Sequence, residues 1–101
     1  MKARLVYREK YIYTDRSIRE MVLWQLPKKT TDKPQGLKYR LNYGLADGTC
    51  LVRYNNETGK GDHRHFFDKE ESYEFKDVET LVADFLSDIE YARSLEHEKA
   101  D

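Results

Sequence analysis

Asn55 to His65 is a run without an apolar side chain that holds two of the three histidines of the chain, His63 and His65. In an extended segment alternate side chains share a side, so these two imidazoles would point one way and Asp62 and Arg64 the other. Imidazole titrates near neutrality and suits proton transfer in phosphodiester chemistry, with Arg64 and Lys60 available to hold a phosphate and its developing charge. Such a set predicts a metal-independent ribonuclease with His63, His65 and Asp62 as catalytic candidates. The two glycines flanking Lys60 would let backbone N–H groups approach an anion, but Gly59-Lys60-Gly61 falls short of a P-loop, which argues against nucleotide hydrolysis. Asp62-His63-Arg64-His65 also has the ligand types of a zinc, nickel or iron site. Only His97 remains as a further imidazole, so a metal-dependent hydrolase is the weaker alternative and no metal or other cofactor is expected. A solvated polar turn without chemistry, or a loop that binds nucleic acid or protein without cleaving it, would use the same residues.

Positioning this segment requires a scaffold, and the patterning predicts one. Short strands are expected at residues 3–8, 11–14 and 18–26, with a turn at Asp15-Arg16-Ser17, followed by a solvated loop over 28–36. Asp47-Gly48 between two alternating runs predicts a two-residue hairpin turn with both residues at positive φ. That register sets Leu45 opposite Cys50, Tyr43 opposite Val52 and Leu41 opposite Tyr54, and gathers one apolar face. Lys38, Arg40, Asn42 and Arg53 fall on the other face, toward water or a ligand. With Lys60 and Arg64, the cations Lys38, Arg40 and Arg53 are the candidate nucleic-acid contacts. Trp24, Tyr39, Tyr43 and Phe85 read as packing residues, and Cys50 as an inert thiol on the apolar side.

From Asp77 the apolar period changes from 2 to 3.6. Val78, Leu81, Val82, Phe85, Leu86 and Ile89 form one stripe, Asp77 is a candidate N-cap, and Glu79, Asp84, Asp88 and Glu90 lie off the stripe. The fold class expected is α+β, a twisted antiparallel β-sheet of about five strands with one face covered by a C-terminal amphipathic α-helix. We read residues 1–101 as a single domain, with the sheet over about 3–54, a polar loop over 55–65 and the helix over about 77–96.

Composition narrows the function classes. Hydrophobic residues make up 39% and charged residues 37%, yet 13 aromatic side chains are too many for a disordered tail. No apolar run is long enough for a membrane span, and the first residues lack a signal-peptide core, so a cytoplasmic protein is expected. A lone cysteine excludes an intramolecular disulfide. The net charge of −1 hides two halves: residues 1–65 carry 14 Lys and Arg against 7 Asp and Glu, whereas residues 66–101 carry 4 against 12. A basic front suits a polyanion, and the acidic back suits a second, different contact or simple neutralisation of the sheet.

The stretch from Asn56 to His65, preceded by Leu37-Lys38-Tyr39-Arg40-Leu41 and followed by Leu81-Val82-Ala83-Asp84-Phe85-Leu86, resembles the TumE toxins, a small prokaryotic family. Gly59-Lys60-Gly61-Asp62-His63-Arg64-His65 is its most specific element. The resemblance implies the toxin of a two-gene toxin–antitoxin module, beside a helix-turn-helix antitoxin. Many toxins of this size act on RNA, which supports the ribonuclease reading by analogy. The partners expected are therefore that antitoxin and RNA, with a homodimer as a further possibility and no membrane.

Overall fold

A computed structural model describes residues 3–31, 33–57, 59 and 61–100, with side chains as far as residue 95. Six antiparallel strands follow one another in chain order across one sheet: β1 (Arg4–Ile12), β2 (Ile18–Gln25), β3 (Leu37–Gly44), β4 (Cys50–Asn55), β5 (His63–Phe66) and β6 (Lys69–Ser72). Helix α1 (Val78–Ala100) closes the chain and packs on β4. The sheet with one face under a C-terminal helix is the α+β arrangement expected from the patterning.

Alternation along the strands decides what the helix covers. Met21 and Leu23 of β2, Tyr39, Leu41 and Tyr43 of β3, and Val52 and Tyr54 of β4 are buried against Leu81, Phe85, Ile89 and Ala92 of α1. Asp77 accepts the Thr80 N–H at 2.6 Å and caps the helix, satisfying one of its unpaired first-turn donors. These bonds hold the Asp77 carboxyl below its usual range.

Three local features depart from expectation. The first two strands are one, because Glu9 and Lys10 continue the ladder opposite Met21 and Glu20, with an irregularity between Leu5 and Tyr7. Charged residues are tolerated there because β1 is an edge strand. At the β3–β4 hairpin, Gly48 alone takes positive φ, at 93°, while Asp47 does not. Leu45 accepts from the Gly48 N–H at 3.0 Å and donates to the Thr49 carbonyl at 2.8 Å, so the loop has three residues rather than two. Tyr43 still faces Val52 and Leu41 still faces Tyr54, but the register then slips and Cys50 pairs with Gly44. Cys50 thereby leaves the apolar side, and its Sγ lies 3.0 Å from Asn42 Oδ1. The third departure is a hairpin at 63–72, where a polar loop ending at His65 was expected.

The slip at β3–β4 has a steric condition. A Cβ on Gly44 would stand 2.8 Å from the Thr49 carbonyl oxygen, a backbone atom with little freedom to move. Gly44→Ala should cost about 1–3 kcal/mol, the usual range for an overpacked site, read as a lowered urea midpoint with unchanged m-value.

Candidate functional site

The face of the sheet away from α1 carries the chain's candidate chemistry. Cross-strand pairing arranges it in rows. One row runs Arg8, Val22, Arg40, Asn55, His63, Ser72, and its neighbour runs Lys10, Glu20, Asn42, Arg53, His65, Glu70. Residues directly opposite in an antiparallel pair stand on the same face, so His63 and His65 share this open face with Arg40 and Arg53. Trp24 and Lys38 form the next pair along β2 and β3. Arg40, Arg53 and Lys38 are exposed, whereas both histidines are half-buried. Glu20, Arg40, Asn42, Arg53, Asn55 and Glu57 outline a depression of about 350 Å³ between them.

His63 is held at the Nδ1 end of its ring. Nδ1 lies 3.2 Å from the Gly61 carbonyl, which can only accept, so this contact places the ring proton on Nδ1 and leaves Nε2 with the lone pair in the neutral form. Nε2 stands 3.6 Å from Glu70 Oε1, ready to pair with it when protonated. Asp62, His63, Glu70, Glu71 and Ser72 line a second, wide depression of about 480 Å³. Asp62 itself accepts the Tyr39 hydroxyl at 2.7 Å, and its carbonyl accepts the Tyr73 N–H at 3.0 Å, so it anchors the start of β5. Among the described residues no three His, Cys, Asp or Glu side chains gather into a metal-binding group.

Arg64 goes to the other face. Its Nε donates to Asp88 Oδ2 at 2.6 Å and to the Tyr54 hydroxyl at 3.0 Å, its Nη1 donates to Glu71, and its guanidinium lies 5.1 Å from the Phe66 ring centre. The hydrogen bond with Asp88 raises its affinity for its proton further. The structure therefore brings His63, His65, Arg40, Arg53 and Lys38 onto one face and separates Arg64 from them. Lys60 lies outside the described residues.

The helix acids are also partly spent on the fold. Asp88 accepts the Tyr54 hydroxyl at 2.5 Å, and Asp84 accepts the Tyr73 hydroxyl at 2.6 Å. Both are half-buried, where acids facing solvent were expected, because the sheet's tyrosines need acceptors at this end. Burial, then the neighbouring carboxylate, pushes the Tyr39 and Tyr54 hydroxyls well above their ordinary pKa of 10.0. The sign follows from proton counting. Above about pH 10 the unfolded chain releases these two protons and the native chain keeps them, so stability falls by about 1.4 kcal/mol per pH unit for each tyrosine. Urea midpoints measured from about pH 8 to about pH 11 should be flat at first and then drop steeply.

Residues missed in the sequence also stand on the open face. Arg8 and Lys10 extend its cations onto β1, and would have been found by continuing the period-2 alternation through Glu9. Trp24 was assigned to the core, but it pairs with Lys38 and is only half-buried, with the Lys38 Nζ 5.6 Å from its ring centre. Residues 21–24 are all apolar, so alternation there had no polar side to mark the faces.

A family model described as Toxin TumE matches residues 2–93, nearly the whole chain. The chain belongs to the TumE toxin family. Neither curated proteins nor solved structures return a match. Membership gives this TumE chain the role of a toxin and, as for toxins of such modules in general, an antitoxin as partner. The match takes in β1 to β6 and most of α1, so the open face with its histidines and arginines lies within the part that defines a TumE toxin. Among the described residues no helix is long and apolar enough to cross a membrane.

Proposed function

We propose that this toxin acts on RNA, binding it across the open face and cleaving it without a metal through His63 and His65. The observation that carries the reading is the row order: two imidazoles on β5 are cross-strand neighbours of Asn55 and Arg53, with Arg40 one strand further on. Lys38, Arg40 and Arg53 hold phosphates, and Arg8 and Lys10 lengthen the track by two strand spacings, roughly 10 Å. Lys60 stays with this set as a phosphate contact by sequence, while Arg64 serves the β5–α1 junction.

The chemistry is an internal displacement. One imidazole takes the proton of a ribose 2′-hydroxyl, whose oxygen attacks the adjacent phosphorus. The bond from phosphorus to the 5′-oxygen breaks, and the other imidazole, protonated, gives that oxygen its proton. The products are a 2′,3′-cyclic phosphate and a 5′-hydroxyl end. In the cytoplasm the helix-turn-helix antitoxin would restrain this activity.

The test is incubation of the purified chain with RNA in the presence of a chelator. We expect fragments with cyclic-phosphate and 5′-hydroxyl ends, and binding whose logarithm falls with log salt by about 0.7 per phosphate contact. Arg40→Ala and Arg53→Ala should each remove about one such contact from the slope. Salt-sensitive binding with no product would favour a non-catalytic RNA-binding module on the same face. Activity that disappears with the chelator and returns with a metal would favour a hydrolase of the metal-dependent kind.

A further inference from the structure

A smaller cavity of about 160 Å³ opens where β2, β3 and the end of β4 meet, with Trp24 on one side, Asn55 and Glu57 on the other, and Lys38 and Arg40 along β3 between them. At roughly 30 Å³ per water it has the room of about five waters, the scale of one heterocyclic base and too little for a whole nucleotide. Asn55 is 5% exposed, and its side-chain oxygen has no hydrogen-bond partner among the described residues. A buried acceptor left unpaired is costly, and a ligand that donated to it as the Asn55 side chain turned toward the cavity would remove that cost. Glu57 stands exposed on the same wall.

We infer that this cavity is a base-selecting pocket for guanine, an inference that rests on the RNA reading of the open face and names its preferred nucleotide. Facing the cations Lys38 and Arg40, the wall offers acceptors: the two oxygens of an ionised Glu57 carboxylate and, once its side chain turns toward the cavity, the Asn55 carbonyl oxygen. Guanine is the base whose pairing edge presents donors at two adjacent positions, the ring N1–H and the exocyclic amine, and a carboxylate accepts both side by side. Adenine and cytosine bring one exocyclic amine beside a ring acceptor, which would oppose the carboxylate. Uracil brings a single N–H between two carbonyl oxygens. Trp24 supplies the flat apolar surface on which a base stacks. Lys38 lies over that ring, and a stacked base would displace its ammonium toward the sugar–phosphate chain, where Arg40 also stands. Because Asn55 pairs with His63, a guanine in the pocket would set its neighbouring phosphate beside the imidazoles.

Trp24 is the chain's one tryptophan, so its fluorescence reports on the pocket directly. The full chain is titrated with GMP, AMP, CMP and UMP, and with short single-stranded RNAs that carry one G, A, C or none in a uridine background. We expect saturable quenching by GMP at a concentration at least about tenfold below that of the other three, the same preference among the RNAs, and loss of the preference in Glu57→Ala. Glu57 is exposed, so that variant keeps its fold, which circular dichroism checks. Equal quenching by all four nucleotides, or none by any, overturns the pocket. RNA bound and cleaved without base preference and without GMP quenching also overturns it, and leaves the RNA reading standing. Selective GMP quenching that Glu57→Ala abolishes, in a chain that binds no RNA, upholds the pocket and removes the RNA reading instead.

Discussion

His65→Ala and His63→Ala should each lower RNA cleavage by about 10² to 10⁴-fold, the contribution of a positioned acid or base, while leaving binding within a few-fold of wild type. Both residues sit on β5, whose ladder bonds come from the backbone, so removing the rings leaves strand pairing with β4 and β6 in place. His63 has side-chain contacts at Gly61 and Glu70, and a modest loss of stability is expected from it; His65→Ala is the cleaner probe. If both imidazoles act, the wild-type rate rises and then falls with pH, and each variant loses one limb of that profile. A variant that cleaves as fast as wild type would place the chemistry elsewhere on the open face, or remove it.

Asp88→Ala should destabilise the fold by about 3 kcal/mol or more, the second large effect. Asp88 is the shared acceptor of Tyr54, which is 1% exposed, and of Arg64, whose side chain is 26% exposed. Its loss leaves the buried Tyr54 hydroxyl proton without its acceptor, and leaves Glu71 as the charge partner of an arginine that has left most of its water behind. Breaking such a pair from one side costs far more than removing the pair altogether. Alanine's better helix propensity returns only a few tenths of a kcal/mol. A triple replacement, Asp88→Leu with Arg64→Met and Tyr54→Phe, leaves no polar group stranded and should recover most of the loss. Urea denaturation of the single and triple variants checks this, and a loss below about 1 kcal/mol for Asp88→Ala would show the junction to be as weak as a surface pair.

Local sequence reading succeeds for some of these elements and stops at others. The β3–β4 face and the α1 stripe were legible because alternation of period 2 and of period 3.6 is a local signal that burial then enforces. The turn between β3 and β4 was legible as a turn but not in its length, because the choice between two and three residues depends on Gly44 passing close to Thr49. The β5–β6 hairpin left no turn signature. Its Phe67 takes φ 57°, a conformation for which glycine or asparagine is the usual choice. Contacts distant in sequence support it: the Phe67 N–H donates to the Leu51 carbonyl at 2.7 Å.

At the candidate site, sequence spacing placed His63 and His65 on one side and Arg64 on the other, as the strand has them. It could not tell that Arg64 would meet Asp88, 24 residues away, since charge pairing between a strand and a helix has no sequence period. Trp24 was misplaced for a different reason, the absence of any polar residue from Met21 to Trp24. The acids of α1 were read as solvent-facing from helical geometry alone, which is blind to the tyrosines waiting on the sheet.

Growth of a bacterial host after tightly controlled induction of the wild-type chain and of His65→Ala, with soluble protein brought to equal levels, asks most directly whether the histidine face is the toxic site. We expect the wild type to arrest growth and His65→Ala to allow it. Arrest of equal depth by both chains would contradict a toxin that works through that imidazole.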